Sequence, residues 1–225
     1  MRVGEFEIQP VKDGEFTVPA SVMFPKTTDA DWAPHKRFLE GEAVSAKTIG
    51  KHVAVDANEL LTMTIHNPDI LKTFPIPAQD IDGIPALGRY LKSADVDLLL
   101  APDSNAIRFA KTASAICGKP YDHLEKERID SYTVKITPKK LDVRGKSVAI
   151  VDDVISTGGT IATAARELRS QGARRVIAAC VHGLFVGKAN VNLKVCDEVI
   201  ATDTVQSAHT KVSVAPDFAV AIRAL

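Results

Sequence analysis

Val151-Asp152-Asp153-Val154-Ile155-Ser156-Thr157-Gly158-Gly159-Thr160 decides the reading of this chain, because it joins two carboxylates to a turn rich in hydroxyls and glycine. Upstream, Val148 to Val151 is an apolar run of strand length. Downstream, Ile161, Ala164, Ala165 and Leu168 recur at helical spacing, and Gly172 supplies a C-terminal stop. The loop therefore bridges a strand and a helix. At such a junction Gly158 and Gly159 let backbone N–H groups approach an anion, Thr157 and Thr160 add hydroxyl donors, and the helix N-terminus presents its positive end. That is a phosphate cradle. It lacks the lysine of a Walker-type loop, and the acidic pair repels a bare polyphosphate, so the carboxylates suit sugar hydroxyls or a metal ion. A phosphorylated sugar satisfies both halves. A purely structural reading, in which Asp152 and Asp153 cap the following turn, leaves a glycine pair flanked by threonines unexplained.

Outward from this loop the pattern alternates apolar strand-length runs with helical segments: Leu98 to Ala101, Ala106 to Cys117, Val148 to Val151, Ile161 to Ser170, Val176 to Val181. Such alternation specifies an α/β fold, a parallel sheet with covering helices. Each motif falls where a run ends, at the carboxyl edge where open α/β sheets bind ligands. Between Pro120 and Pro138 the chain is charged and lacks clear periodicity, which suits either a flap over that edge or an ordinary solvated loop. Further upstream, Ser45 to Val53 fits a helix and Glu59 to Ile65 a strand. Phe74-Pro75-Ile76-Pro77 breaks regular structure before Ile84 to Lys92 resumes a helical pattern. These elements read as part of a second α/β unit.

With 225 residues, 45% of them hydrophobic, the chain can bury one large α/β core or two small ones. Its 28 lysines and arginines balance 28 aspartates and glutamates, so no broad basic surface for nucleic acid is expected. Cys117, Cys180 and Cys196 share no Cys-x-x-Cys spacing and read as reduced, buried thiols. No stretch reaches membrane-span length and the charged N-terminal residues lack a signal-peptide core, so a cytoplasmic location without membrane partners is expected.

The loop resembles the ribose-phosphate loop of type I phosphoribosyltransferases, and specifically that of phosphoribosyl diphosphate (PRPP) synthetases, the ribose-phosphate diphosphokinases. Further segments match in the family's order: Gly41-Glu42-Ala43-Val44-Ser45-Ala46-Lys47, Thr64-Ile65-His66-Asn67-Pro68, Ala101-Pro102-Asp103 and Leu124-Glu125-Lys126-Glu127-Arg128. The likeness runs from Arg37 to Leu225 and is strongest to the archaeal branch; residues 1–36 have no match. It implies a phosphoribosyltransferase-like parallel sheet flanked by helices, residues 91–225, preceded by a reduced second α/β lobe, residues 1–90, on the ATP side. It also implies transfer of the diphosphoryl group of MgATP to the C1 hydroxyl of ribose 5-phosphate, giving PRPP and AMP for nucleotide biosynthesis.

Under that resemblance, Ser156, Thr157, Gly158, Gly159 and Thr160 bind the 5-phosphate, and Asp152 and Asp153 accept hydrogen bonds from ribose hydroxyls. His66 and Asp103 match residues acting on the ATP diphosphate and its magnesium (Mg2+). Lys126 and Arg128 match the catalytic basic residues of a flexible loop, where cationic stabilisation does most of the work of phosphoryl transfer. His182 ends the Val176 to Val181 run and reads equally as a site or a structural histidine. Asn105 stands where the family often has glycine; asparagine is the residue best able to replace it at positive φ. Relatives assemble as homo-oligomers, which is expected here too.

The chain departs from the family where ATP is read. Thr64 replaces a common acidic residue two positions before the histidine, and Ala33-Pro34-His35 occupies the place of an Arg-Gln-Asp segment. Two further readings therefore stand beside the synthetase: a non-catalytic homologue that binds sugar phosphate and modulates a partner, and a phosphoribosyltransferase that consumes PRPP.

Overall fold

Strands apolar at every position, rather than at alternate ones, belong in a sheet covered on both faces. The structure, a computed structural model, describes residues 2–3, 6–7, 54–55, 57–128, 134–137 and 141–225; for 2–3, 6–7, 125–128 and 134–137 the description is of backbone alone. The chain divides into two compact units, Met1–Asp80 and Ile81–Leu225. Among the described residues no helix is long and apolar enough to cross a membrane.

In the first unit β1 (Arg2–Val3) pairs antiparallel with β2 (Phe6–Glu7). Farther along, β3 (Leu60–Met63) lies beside β4 (Ala78–Ile81), with the 3-10 turn Pro68–Thr73 between them. The strand expected over Glu59 to Ile65 stops at Met63 because Thr64 takes φ 46°, a left-handed conformation costly for a β-branched residue. Asp80 holds this turn: its carboxylate accepts the Thr62 hydroxyl at 2.8 Å and the Ile65 N–H at 3.0 and 3.2 Å. The helix expected over Ser45 to Val53 and the unmatched first 36 residues lie largely or wholly outside the described residues.

The second unit runs α1 (Ile84–Ser93), β5 (Leu98–Ala101), α2 (Ile107–Cys117), β6 (Tyr121–His123), β7 (Glu125–Arg128), β8 (Val134–Thr137), β9 (Ser147–Ile155), α3 (Gly159–Ser170), β10 (Arg175–Gly183), α4 (Ala189–Asn192), β11 (Glu198–Thr202), β12 (Thr210–Val212) and α5 (Ala215–Arg223). Its sheet has six strands in the order β12-β11-β10-β9-β5-β6, all parallel. Leu98, Leu100, Val148, Ile150, Val176 and Ala178 share a core with Ile161, Ala164, Ala165 and Leu168 of α3. The intervening Leu99, Ala149, Val151, Ile177 and Ala179 are equally buried, facing the other side, where α2 contacts β5 and β9. There α1 and α2 approach so closely that a Cβ on Gly88 would lie 2.7 Å from the Ile116 Cβ.

From β5 the chain crosses through α2 to β6 on one side; from β9 it crosses through α3 to β10 on the other. Connections that diverge in this way open a crevice at the carboxyl ends of the two adjacent strands β9 and β5, and ligands bind at such a point in open α/β sheets. The charged stretch after Pro120 contains a strand on the sheet's edge and an antiparallel hairpin, β7 with β8, in which Glu127 stands opposite Lys135. Of its two strands only β8 alternates apolar with polar residues, over four positions, while β7 is charged throughout, so the sequence shows no sustained apolar stripe.

Candidate active site at the divergence of the sheet

The crevice is built by the ends of β9 and β5. Strand β9 continues past its apolar run to Ile155, because β10 keeps pairing with it up to Gly183 opposite Ile155. Asp152 and Asp153 are thus strand residues, and each carboxylate accepts the N–H of the next residue, at 3.0 and 2.8 Å. Asp153 is 4% exposed. Burial pushes the Asp152 carboxyl well above the usual carboxylate range, helped by the charge of Asp153 and then of Asp103. The charge of Asp103, in the turn after β5, is therefore felt at Asp152 on the neighbouring strand β9.

After β9 the chain turns on Gly158, at φ 72°, and enters α3 at Gly159. Gly158 is buried against Leu193, whose Cγ would lie 3.0 Å from a Cβ there. Thr157, Gly159 and Thr160 are exposed. The first helical bond runs from the Ala162 N–H to the Gly158 carbonyl at 2.9 Å, so the N–H groups of the first turn have no intrahelical acceptor and are available to an anion.

Asp103 has a local duty as well: its Oδ1 accepts the N–H groups of Asn105 and Ala106 at 3.0 and 3.3 Å, capping the entry to α2. Asn105 does not adopt the positive φ expected of it; among the described residues only Thr64 and Phe185 do so outside glycine. The carboxylate cap holds the turn in ordinary backbone conformations, so no left-handed residue is needed. His66 is exposed, in the first unit, directly after the turn that Asp80 holds. Lys126 and Arg128 lie on β7 opposite Ile136 and Val134.

Beside His182 stand two threonines that sequence reasoning passed over. Thr202 is buried and donates to the Val181 carbonyl at 2.7 Å; Thr204 donates to the same carbonyl at 2.9 Å. His182 Nδ1 lies 3.0 Å from the Thr204 hydroxyl oxygen, which, when its proton is committed to Val181, accepts the Nδ1–H and leaves Nε2 as an acceptor. The signal available in the sequence was Thr202-Asp203-Thr204 directly after an apolar run, the same order of strand then hydroxyls as in the main loop. Cys180, opposite Asp152 in the β9–β10 register, is fully buried, and burial pushes its thiol up far enough to keep it inert. Among the described residues no group of three or more His, Cys, Asp or Glu side chains is gathered as a metal cage.

Comparison with known proteins agrees with this fold. A family model described as "Phosphoribosyl transferase domain" matches residues 85–217. The ribose-phosphate pyrophosphokinase of Methanopyrus kandleri is 43% identical, over 84% of this chain and 67% of that one. Ribose-phosphate pyrophosphokinase 2 of Archaeoglobus fulgidus is also 43% identical, over 80% and 66%. Among solved structures, phosphoribosylpyrophosphate synthetase from Mycobacterium smegmatis superposes with a TM-score of 0.68 at 30% identity, over 82% of this chain and 64% of that one. The chain thus spans about two thirds of the length of the relatives it matches. With a matching domain laid over the observed sheet and relatives alike across most of its residues, the chain belongs to the ribose-phosphate pyrophosphokinase family.

Proposed function

We propose that this chain is a ribose-phosphate diphosphokinase, transferring the diphosphoryl group of MgATP to the C1 hydroxyl of ribose 5-phosphate to give PRPP and AMP. The observation that carries the reading is a run of exposed Thr157, Gly159 and Thr160 opening α3, directly after an acidic pair at the divergence of the sheet. In this reading the 5-phosphate sits on the N–H groups and hydroxyls of Ser156 to Thr160, where the helix end favours negative charge. Asp152 and Asp153 accept hydrogen bonds from the ring hydroxyls and so fix the direction in which the C1 hydroxyl points.

The C1 oxygen then forms a bond to the β-phosphorus of ATP while the bond from that phosphorus to the α,β-bridging oxygen breaks. AMP leaves with the electron pair, and the hydroxyl proton passes to solvent. Lys126 and Arg128 of β7 supply positive charge to the transferred oxygens, and His66 and Asp103 serve the ATP diphosphate and magnesium. Magnesium, when bound, neutralises polyphosphate charge. Among the described residues the carboxylates form no closed cage, which suits an ion that keeps phosphate oxygens and water as most of its ligands. Residues 1–90 take the ATP side and 91–225 the sugar side; the enzyme works in the cytoplasm as a homo-oligomer, with no nucleic-acid partner.

Phosphorus NMR of the protein incubated with MgATP and ribose 5-phosphate tests this. Appearance of AMP and PRPP is the expected result. Ribose 5-phosphate binding without turnover would favour the non-catalytic homologue, and PRPP binding together with a free base would favour a transferase.

A further inference from the structure

Backbone carbonyls carry the wrong sign for a phosphate, so a loop that offers N–H groups to an anion must satisfy its carbonyls elsewhere. Ile155, Ser156 and Thr157 do so against one stretch of chain, the connection from β10 through α4. The Leu184 and Phe185 N–H groups both donate to the Ile155 carbonyl, at 3.0 and 3.2 Å. The Val186 N–H donates to the Ser156 carbonyl at 3.1 Å. The Asn192 side-chain amide donates to the Thr157 carbonyl at 2.8 Å. The next carbonyl, that of Gly158, is taken by Ala162 inside α3. None of these oxygens is left to face a bound anion.

The stretch that holds them is itself anchored. Phe185 adopts φ 47°, and its ring sits where a Cβ on Gly183 would be 2.3 Å from Cε2. That ring meets the His209 ring edge-on, with centroids 4.8 Å apart. At the other end Leu193, 4% exposed, fills the space that a side chain at position 158 would need. The clamp therefore has a fixed base, and all but one of its bonds to the loop come from backbone, which any residue supplies.

We infer that Asn192 is a positioning residue for the phosphate loop: by holding the Thr157 carbonyl from outside, it keeps the N–H groups of Gly158 and Gly159 aimed at the 5-phosphate. It touches no substrate and acts only through Thr157. The inference rests on the ribose 5-phosphate reading of this loop. Asn192 is half-buried and stands on the rim of the loop, so its replacement does not open the core.

The test uses Asn192→Ala and Asn192→Asp in the full chain, the second keeping the side chain's shape while removing its donor. Two quantities are read: amide hydrogen exchange at Gly158 and Gly159 in the ligand-free protein, and calorimetric affinity for ribose 5-phosphate and for MgATP. Expected are faster exchange at both glycines and a loss of ribose 5-phosphate affinity of about threefold to tenfold, the worth of one neutral hydrogen bond. The loss is larger for the aspartate variant, and MgATP affinity is unchanged. A residue with a merely structural role would lower stability without separating the two affinities. Unchanged exchange overturns the clamp; faster exchange with unchanged ribose 5-phosphate affinity overturns the positioning role. Wild-type protein that binds no ribose 5-phosphate, while exchange still quickens in Asn192→Ala, overturns the reading of the ligand and with it the positioning role, and the exchange data tell that failure apart from failure of the clamp.

Discussion

Gly158 and Gly159 are neighbours of the same type, and the structure demands opposite outcomes when each becomes alanine. At Gly158 the backbone is left-handed, φ 72°, which costs an L-residue about 1–2 kcal/mol. The added Cβ would also lie 3.0 Å from Leu193 Cγ and 3.1 Å from Cδ2. Leu193 is packed in the core and must shift, which adds roughly 1 kcal/mol of overpacking. Gly158→Ala is therefore expected to lose about 2–3 kcal/mol, a fall in Tm of about 4–12 °C for a chain of this size. At Gly159 the backbone is ordinary helix and the nearest atom to an added Cβ is Thr157 Oγ1 at 3.8 Å, so alanine meets no strain. Its lower unfolded-state entropy leaves Gly159→Ala unchanged or about 0.5 kcal/mol more stable. Urea and thermal unfolding of both variants, with calorimetry against ribose 5-phosphate, separate the effects: both lose affinity, but only Gly158→Ala loses stability. Equal stability of the two variants would refute the argument from φ and from Leu193.

Asp152→Asn tests the electrostatics of the crevice. Because burial, Asp153 and Asp103 raise the Asp152 carboxyl above its unfolded value of about 3.9, the native state binds the proton more tightly. That contribution to stability is complete below the unfolded value and disappears as pH rises through the folded one. The stability of Asp152→Asn relative to wild type is thus expected to grow as pH rises above the unfolded value, while ribose 5-phosphate binding collapses; a difference that shrinks with rising pH in urea titrations would contradict it. Asp80→Ala removes the acceptor of the Thr62 hydroxyl and the Ile65 N–H, a loss of about 1–3 kcal/mol local to that turn. Amide exchange at Ile65 is expected to quicken, and unchanged protection would show that Asp80 does not hold the turn before His66.

Apolar runs located the sheet because a strand buried on both faces has no polar positions to interrupt its pattern: Leu98 to Ala101 is a strand with those very bounds. The same rule misjudged β9, whose first charge falls at Asp152 although pairing with β10 carries the strand to Ile155. A carboxylate that accepts its neighbour's N–H is at ease at a strand end, and hydrophobicity does not report this. Helix α3 was legible from Ile161 onward and begins at Gly159, since glycine at a first turn carries no periodic signal. The strand-to-helix junction around Gly158 could be read because a glycine pair flanked by threonines lies between an apolar run and a helical pattern. What holds that loop could not. Leu184, Phe185, Val186 and Asn192 act through backbone N–H groups and one side-chain amide on partners far back in the sequence, 35 residues for Asn192 and Thr157, and no local pattern encodes so distant a partner. The hairpin β7–β8 escaped for a different reason: β7 is charged at every position, and the alternation of β8 is only four residues long.

Among the described residues the six-stranded sheet ends at β12 and β6, each only three residues long. An outermost strand is where a foreign chain could add itself, and brevity leaves it few unpaired backbone groups to copy. On β12 the exposed Lys211, ion-paired with Glu198 at 2.6 Å, puts a charge at the middle of that border. The adhesive segments β5, β9 and β10 lie inside. Parallel sheets assemble slowly, since strands distant in sequence must meet before any is satisfied. By keeping its stickiest strands central and its borders short and charged, the finished sheet offers little purchase for aggregation.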